Sequence, residues 1–174
     1  MLSVVRAEGV GIVHGSADGV VDVTDARLLR ALAASPRATV LALAEATGLS
    51  RNTVQARLAG LEARGVLRSF ERRVDPAALG HPLAAFVQVR VTQRRLDTVA
   101  AALAAVPEVV EVLGMSGEMD LLVQVVARDA DDLYRVAGAL LAIDGVERTT
   151  TSLVMRRLVE HRVDPLLCKI AEGG

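Results

Sequence analysis

"ATVLALAEATGLSRNTVQARLAGLEARGVL", residues 38–67, decides how the first half of the chain folds. Thr39 is placed to cap a helix in which Val40, Leu43 and Ala44 share one face. Gly48 suits the left-handed end of that helix, and Ser50 can cap the next. In this second helix Val54, Leu58 and Leu61 fall at i, i+4 and i+7, the spacing of a buried stripe, and Gly65 closes it. Two helices that cross closely need a small residue, a turn glycine and an aliphatic wedge. Ala44, Gly48 and Val54 supply them in that order, the geometry of a helix-turn-helix.

Working outward, "TDARLLRAL" (24–32) reads as a preceding helix with Thr24 as its N-cap and Leu28, Leu29 and Leu32 on one stripe. "SPR" at 35–37 stops it. "VLRSFERRVDP" (66–76) reads as a short extended pair broken by Pro76, the natural place for a wing and a linker. Residues 1–23 carry scattered glycines without a helical period. They read as a strand within "VGIVHG", an unstructured tail or an artefact of the translation start, with no function attached.

From residue 83 the period changes. "LAAFVQVRV" is a strand and "RLDTVAAALAAV" a helix; "VVEVLGM" and "DLLVQVVA" are strands joined through "SGE"; then "DADDLYRVAGALLAI" is a helix and "ERTTTSLVMRRLVE" a strand. The order βαββαβ is the ferredoxin-like arrangement. "FVQVRV" and "AVPEV" echo in "LVQVVA" and "AIDGV" 36–37 residues later, a pseudo-duplication. The fold class is therefore α+β: a winged helix-turn-helix with its linker over 24–76, a βαββαβ domain over 77–167 and a tail over 168–174. The third strand is apolar on both faces, Leu121, Val123 and Val125 on one, Leu122 and Val126 on the other. Two helices cover only one face, so a second copy of the sheet is expected on the other.

Composition narrows the function. The chain has 174 residues, 52% hydrophobic and 24% charged, which marks a globular protein. No apolar run approaches a membrane span, and a single cysteine, Cys168, makes the cytoplasm the expected compartment. The net charge of −1 hides a partition: residues 24–76 balance at +4 and residues 77–174 at −3. That pattern suggests a polyanion-binding module joined to something else. His14, His81 and His161 are scattered, and Cys168 has no histidine nearby. No metal site, phosphate loop or nucleophile motif follows, so no catalytic residue and no cofactor is expected.

The outward residues of the second helix-turn-helix helix carry the functional expectation. Ser50 as cap leaves Arg51, Asn52, Thr53 and Gln55 at its start, where base edges of double-stranded DNA are met. Asn52 and Gln55 suit adenine and Arg51 suits guanine. Arg57 and Arg64, with Arg37 and Thr39 at the start of the preceding helix, suit phosphates, as do Arg72 and Arg73 on the wing. Ala56, Ala59 and Gly60 weaken the pattern, and an interior glycine costs roughly 1 kcal/mol against alanine. Three-helix units of this kind also serve as protein-interaction modules, an effector-sensing oligomer that acts through protein contacts being the alternative. Likewise "SGEMD" (116–120) reads either as a hairpin turn with an acidic rim or as a ligand turn, Gly117 offering an amide and Asp120 a carboxylate.

The whole order resembles the leucine-responsive and asparagine-operon regulator family, Lrp/AsnC, from about Thr24 to Leu167. The resemblance rests on "TDARLLRAL", the 38–67 stretch, "DPAALG", "SGEMDLL" and "GVERTTTSLVM" in this spacing. It implies a transcription regulator that binds DNA as a dimer and assembles into tetramers or octamers. It further implies a small-molecule effector, typically an amino acid, held around Ser116, Gly117, Glu118 and Asp120 with hydroxyls from Thr149 and Thr151. Family recognition helices are commonly more basic in the stretch matching Ala56 to Gly60, which implies a weaker grip per subunit here.

Overall fold

The computed structural model describes residues 21–68 and 74–173, and the chain divides into two units. The first joins the N-terminal region to the C-terminal residues 161–174; the second spans 70–160.

In the first unit, α1 (Val23–Ala34), α2 (Val40–Thr47) and α3 (Arg51–Ala63) pack around Leu28, Leu43, Ala44, Val54 and Leu61. Capping sets their limits. Thr39 Oγ1 accepts the Ala42 amide at 3.2 Å and Ser50 Oγ the Thr53 amide at 3.1 Å, while Gly48 ends α2 at φ 70°. The cap of α1 differs from the sequence expectation. It is Asp22, whose Oδ1 accepts the Asp25 amide at 2.7 Å, so Thr24 falls inside the first turn. The Asp22 carboxylate is a stronger partner for the helix N-terminus than a hydroxyl already within the first turn.

A further helix, α6 (Asp164–Ala171), packs on α1 with Leu167 buried and Arg30 Nε 3.4 Å from Asp164 Oδ1. The sequence instead predicts a domain that ends at 167 and a tail over 168–174. Pro165 in the first turn and an apolar face carrying Leu167 make a helix there, but one that needs α1 to bury it. The expected wing centres on residues 69–73, which lie outside the described residues; 66–68 and 74–75 on either side contain no strand.

The second unit follows the expected βαββαβ order. After a 3-10 turn at Pro76–Leu79 come β1 (Leu83–Val91), a 3-10 turn at Gln93–Arg95, α4 (Leu96–Ala104) and β2 (Val109–Gly114). Then follow β3 (Leu121–Ala127), α5 (Ala130–Leu141) and β4 (Val146–Leu153). The antiparallel sheet has the order β2-β3-β1-β4. Val87 opposite Val123 and Val89 opposite Leu121 place one face against Val99 and Leu103 of α4 and Val136 and Leu140 of α5. The other face carries Phe86, Leu122 and Val126, with Leu113 of β2 opposite Leu122. Both α4 and α5 pack on the first face, so among the described residues no α-helix of this unit covers the second, where Val126 is buried near the 76–79 turn.

Candidate DNA interface and effector turn

The first turns of α3 present what the sequence assigned to base reading. Arg51, Asn52, Thr53 and Gln55 are exposed, and Val54 between them is fully buried against α2 and α1. Ser50 and Thr53 share a hydroxyl hydrogen bond at 2.8 Å, which fixes the start of the helix. Arg37, Arg51, Asn52 and Gln55 have no side-chain hydrogen bond or ion pair among the described residues. Arg37 and Thr39 are exposed at the entry to α2.

Arg57 and Arg64 are placed differently. Arg57 Nη1 lies 2.7 Å from Asp22 Oδ2 and 2.7 Å from Asp25 Oδ1, and Arg64 Nη2 lies 3.2 Å from Asp25 Oδ2. The Arg57 hydrogen bond, with the cap bond to the Asp25 amide, holds the Asp22 carboxyl below the usual carboxylate range, and the two acids raise the arginine in return. The sequence offers both arginines to phosphates; in the structure their guanidiniums are engaged inside the unit. The cause is position: both sit on the flank of α3 that meets α1, where Asp25 is buried. Arg72 and Arg73 lie outside the described residues.

In the second unit the β2–β3 turn brings Ser116, Gly117, Glu118 and Asp120 together. Gly117 has φ +127°, a conformation open to glycine, and the first three residues are exposed. Asp120 is a structural as well as a chemical residue. Its Oδ2 accepts the Val91 amide at 2.8 Å and its Oδ1 the Gln93 amide group, while its own backbone pairs with Val89 and Met115. Gln93 was not singled out in the sequence, since nothing local marks it as a partner 27 residues from Asp120. Thr149 and Thr151 pair with Val89 and Val87, so they share one face, half-buried and exposed respectively. Strand β1 lies between them and Asp120. Two cavities of ≈ 290 and ≈ 360 Å³ flank the 76–79 turn at the other end of the sheet, and no effector candidate lines either. Among the described residues no group of histidine, cysteine and acids could hold a metal ion, and no helix is long and apolar enough to cross a membrane.

A capped recognition helix with an open polar end, joined to a βαββαβ sheet with a glycine-bearing turn, defines a two-unit transcription regulator. The family comparison agrees: residues 21–62 match the AsnC-type helix-turn-helix domain and residues 84–164 the Lrp/AsnC ligand binding domain. The chain belongs to the Lrp/AsnC family of DNA-binding transcription regulators. It is 40% identical to the HTH-type transcriptional regulator LrpA of Mycobacterium tuberculosis over 78% of this chain and 85% of that protein. Among solved structures, the feast or famine regulatory protein of M. tuberculosis complexed with L-methionine is 32% identical with a TM-score of 0.73, over 83% of this chain and 98% of that one. A transcriptional regulator of Neisseria meningitidis in complex with L-Met is 28% identical with a TM-score of 0.71, over 81% and 94%. These relatives are regulators, which are not enzymes.

Proposed function

We propose that this chain reads operator DNA through Arg51, Asn52, Thr53 and Gln55, with Ser50 as the cap that aims them. Arg37 and Thr39, at the entry to α2, meet the phosphates. The observation that carries this reading is the exposed start of α3, where Arg51, Asn52 and Gln55 have no side-chain partner among the described residues, above a fully buried Val54. Two copies join through the uncovered sheet face, where Phe86, Leu113 and Leu122 have no α-helix of their own unit to pack on among the described residues; dimers assemble further into tetramers or octamers, within the cytoplasm. Several half-sites held at once offset the few phosphate contacts of each subunit.

The effector is an amino acid, the class seen bound to two similar structures. It is taken at the Ser116–Asp120 turn, where the Gly117 backbone is open to a carboxylate and Asp120 retains acceptor capacity for an ammonium group. Because β1 separates Asp120 from Thr149 and Thr151, the site draws on more than one copy of the chain. A thermal-shift screen of the twenty amino acids tests this. A ligand at a hundredfold excess over its dissociation constant stabilises by about 2.7 kcal/mol. Asp120→Asn removes that shift and Arg51→Ala keeps it. No shift with any of the twenty sinks the amino-acid reading.

A further inference from the structure

Two arginines, Arg57 within α3 and Arg64 at its C-cap, are only about a third exposed and turn their guanidiniums toward α1. Arg57 and Arg64 lie seven residues apart, hence on one flank of α3 two turns from each other, and both converge on Asp25 in the first turn of α1. The Asp25 side chain is only 4% exposed. Among the described residues its carboxylate accepts from these two guanidiniums alone. Asp22, the cap of α1, takes a second bond from Arg57 Nη1. Two acids and two arginines cancel, so the cluster adds no net charge to the surface offered to DNA.

Two anchor points along one flank fix the rotation of a helix as well as its tilt. A side-chain tip about 5 Å from the helix axis moves nearly 2 Å when the helix turns by about 20°. Base-edge hydrogen bonds span only about 2.7–3.2 Å, so such a turn would break them. A buried carboxylate cannot be left without its cations at low cost, which keeps both arginines in place.

We propose that Asp25 is a positioning residue for DNA reading: it withholds Arg57 and Arg64 from the phosphates and uses them to lock the rotation of α3, holding Arg51, Asn52 and Gln55 in register with the bases. This rests on the reading of the first turn of α3 as the base-reading end. The prediction separates position from charge. A phosphate contact contributes about 0.9 to the salt slope of binding on any duplex, whereas a positioning contact contributes preference for one duplex and nothing to the slope.

The experiment uses the full chain and two duplexes, one enriched from a random-sequence pool by the wild-type protein and one of scrambled sequence. Dissociation constants are measured from about 50 to 200 mM salt, the range over which phosphate contacts dominate the slope. Arg37→Ala, which removes a phosphate contact, is expected to lower the slope by about 0.9 on both duplexes. Arg57→Met keeps the apolar stem and removes the cation; it is expected to weaken the enriched duplex about tenfold, leave the scrambled one within about twofold and leave the slope unchanged. Asp25→Asn, which keeps the side-chain shape, is expected to lose the same preference with a slope as steep as wild type or steeper, because two guanidiniums are released. Circular dichroism establishes that each variant retains its helices, and Asp25→Asn decides if Arg57→Met does not fold. Equal weakening of both duplexes by Arg57→Met with a slope lower by about 0.9 overturns the proposal. So does a wild-type preference in Asp25→Asn. A wild-type protein that enriches no duplex at all overturns the base-reading assignment and the positioning role with it.

Discussion

The two units each bury one aspartate in the first turn of a helix, and they build it the same way up to a point. Asp22 caps α1 by accepting the amide of Asp25 at 2.7 Å, and Asp129 caps α5 by accepting the amide of Asp132 at 2.8 Å. Each second aspartate is shielded, at 4% and 2% side-chain exposure, and each gathers two arginines. The partners differ in range. Asp132 takes Arg128 and Arg135, four residues before and three after it, and Arg135 reaches on to Glu108. Asp25 takes Arg57 and Arg64, 32 and 39 residues away on another helix. One network finishes the end of its own helix; the other sets how one helix lies on another. Similar local chemistry therefore serves two different tasks, and sequence distance separates them.

The largest effect should come from removing the cations. Asp132 also accepts the backbone amide of Arg128 at 3.0 Å, a donor that no side-chain substitution takes away. Asp25 has no such backbone donor among the described residues. Arg57→Met with Arg64→Met should therefore cost about 2–3 kcal/mol in urea unfolding, below the usual figure for a broken buried pair because both guanidiniums are about a third exposed. Arg128→Met with Arg135→Met should cost less. A larger loss at Asp132 than at Asp25 would break the comparison.

Acid titration sharpens it from the other side. Hydrogen bonds from Arg128, then from Arg135, hold the Asp132 carboxyl well below the usual carboxylate range. Its folded value lies below its unfolded value of about 3.9, so the stability it contributes is fully present above about pH 5 and is lost as pH falls below about 4. The gap in melting temperature between wild type and Asp132→Asn should stay constant from about pH 8 to 5 and narrow below about pH 4. A gap unchanged down to about pH 2 would mean that the ionised form contributes nothing.

That range difference also governs what could be read from the sequence. Thr39, Gly48 and Ser50 act on amides within a few residues of themselves, so the limits of α2 and α3 were legible. The sheet followed from alternation along each strand, and its uncovered face from the two-sided apolar pattern of β3. What escaped depends on partners far along the chain. Arg57 and Arg64 look like phosphate grips until Asp25 is placed beside them. Asp120 reads as a ligand acceptor alone until Val91 and Gln93 meet its oxygens and give it a structural task as well. The C-terminal helix α6 looks like a tail until α1 offers Leu167 a surface. Periodicity reports which face is buried, but not which helix buries it.

The smallest predicted effect bears on α3 itself. Gly60 interrupts the recognition helix with no compensating contact: a Cβ added there meets nothing within 4 Å, and its φ is not in the left-handed region. The Arg64 Nε bond to the Gly60 carbonyl at 3.2 Å is to backbone and survives the change. Gly60→Ala should therefore stabilise the unit by about 0.5–1 kcal/mol, through lower backbone entropy of the unfolded chain. A rise in melting temperature of roughly 2–6 °C in calorimetry reports it. DNA preference should not change, because the Asp25 contacts and not the flexibility of α3 set its rotation. A variant that gains stability yet loses preference would show that α3 must bend at Gly60 to read its site, and the clamp would then fix only one end of the helix.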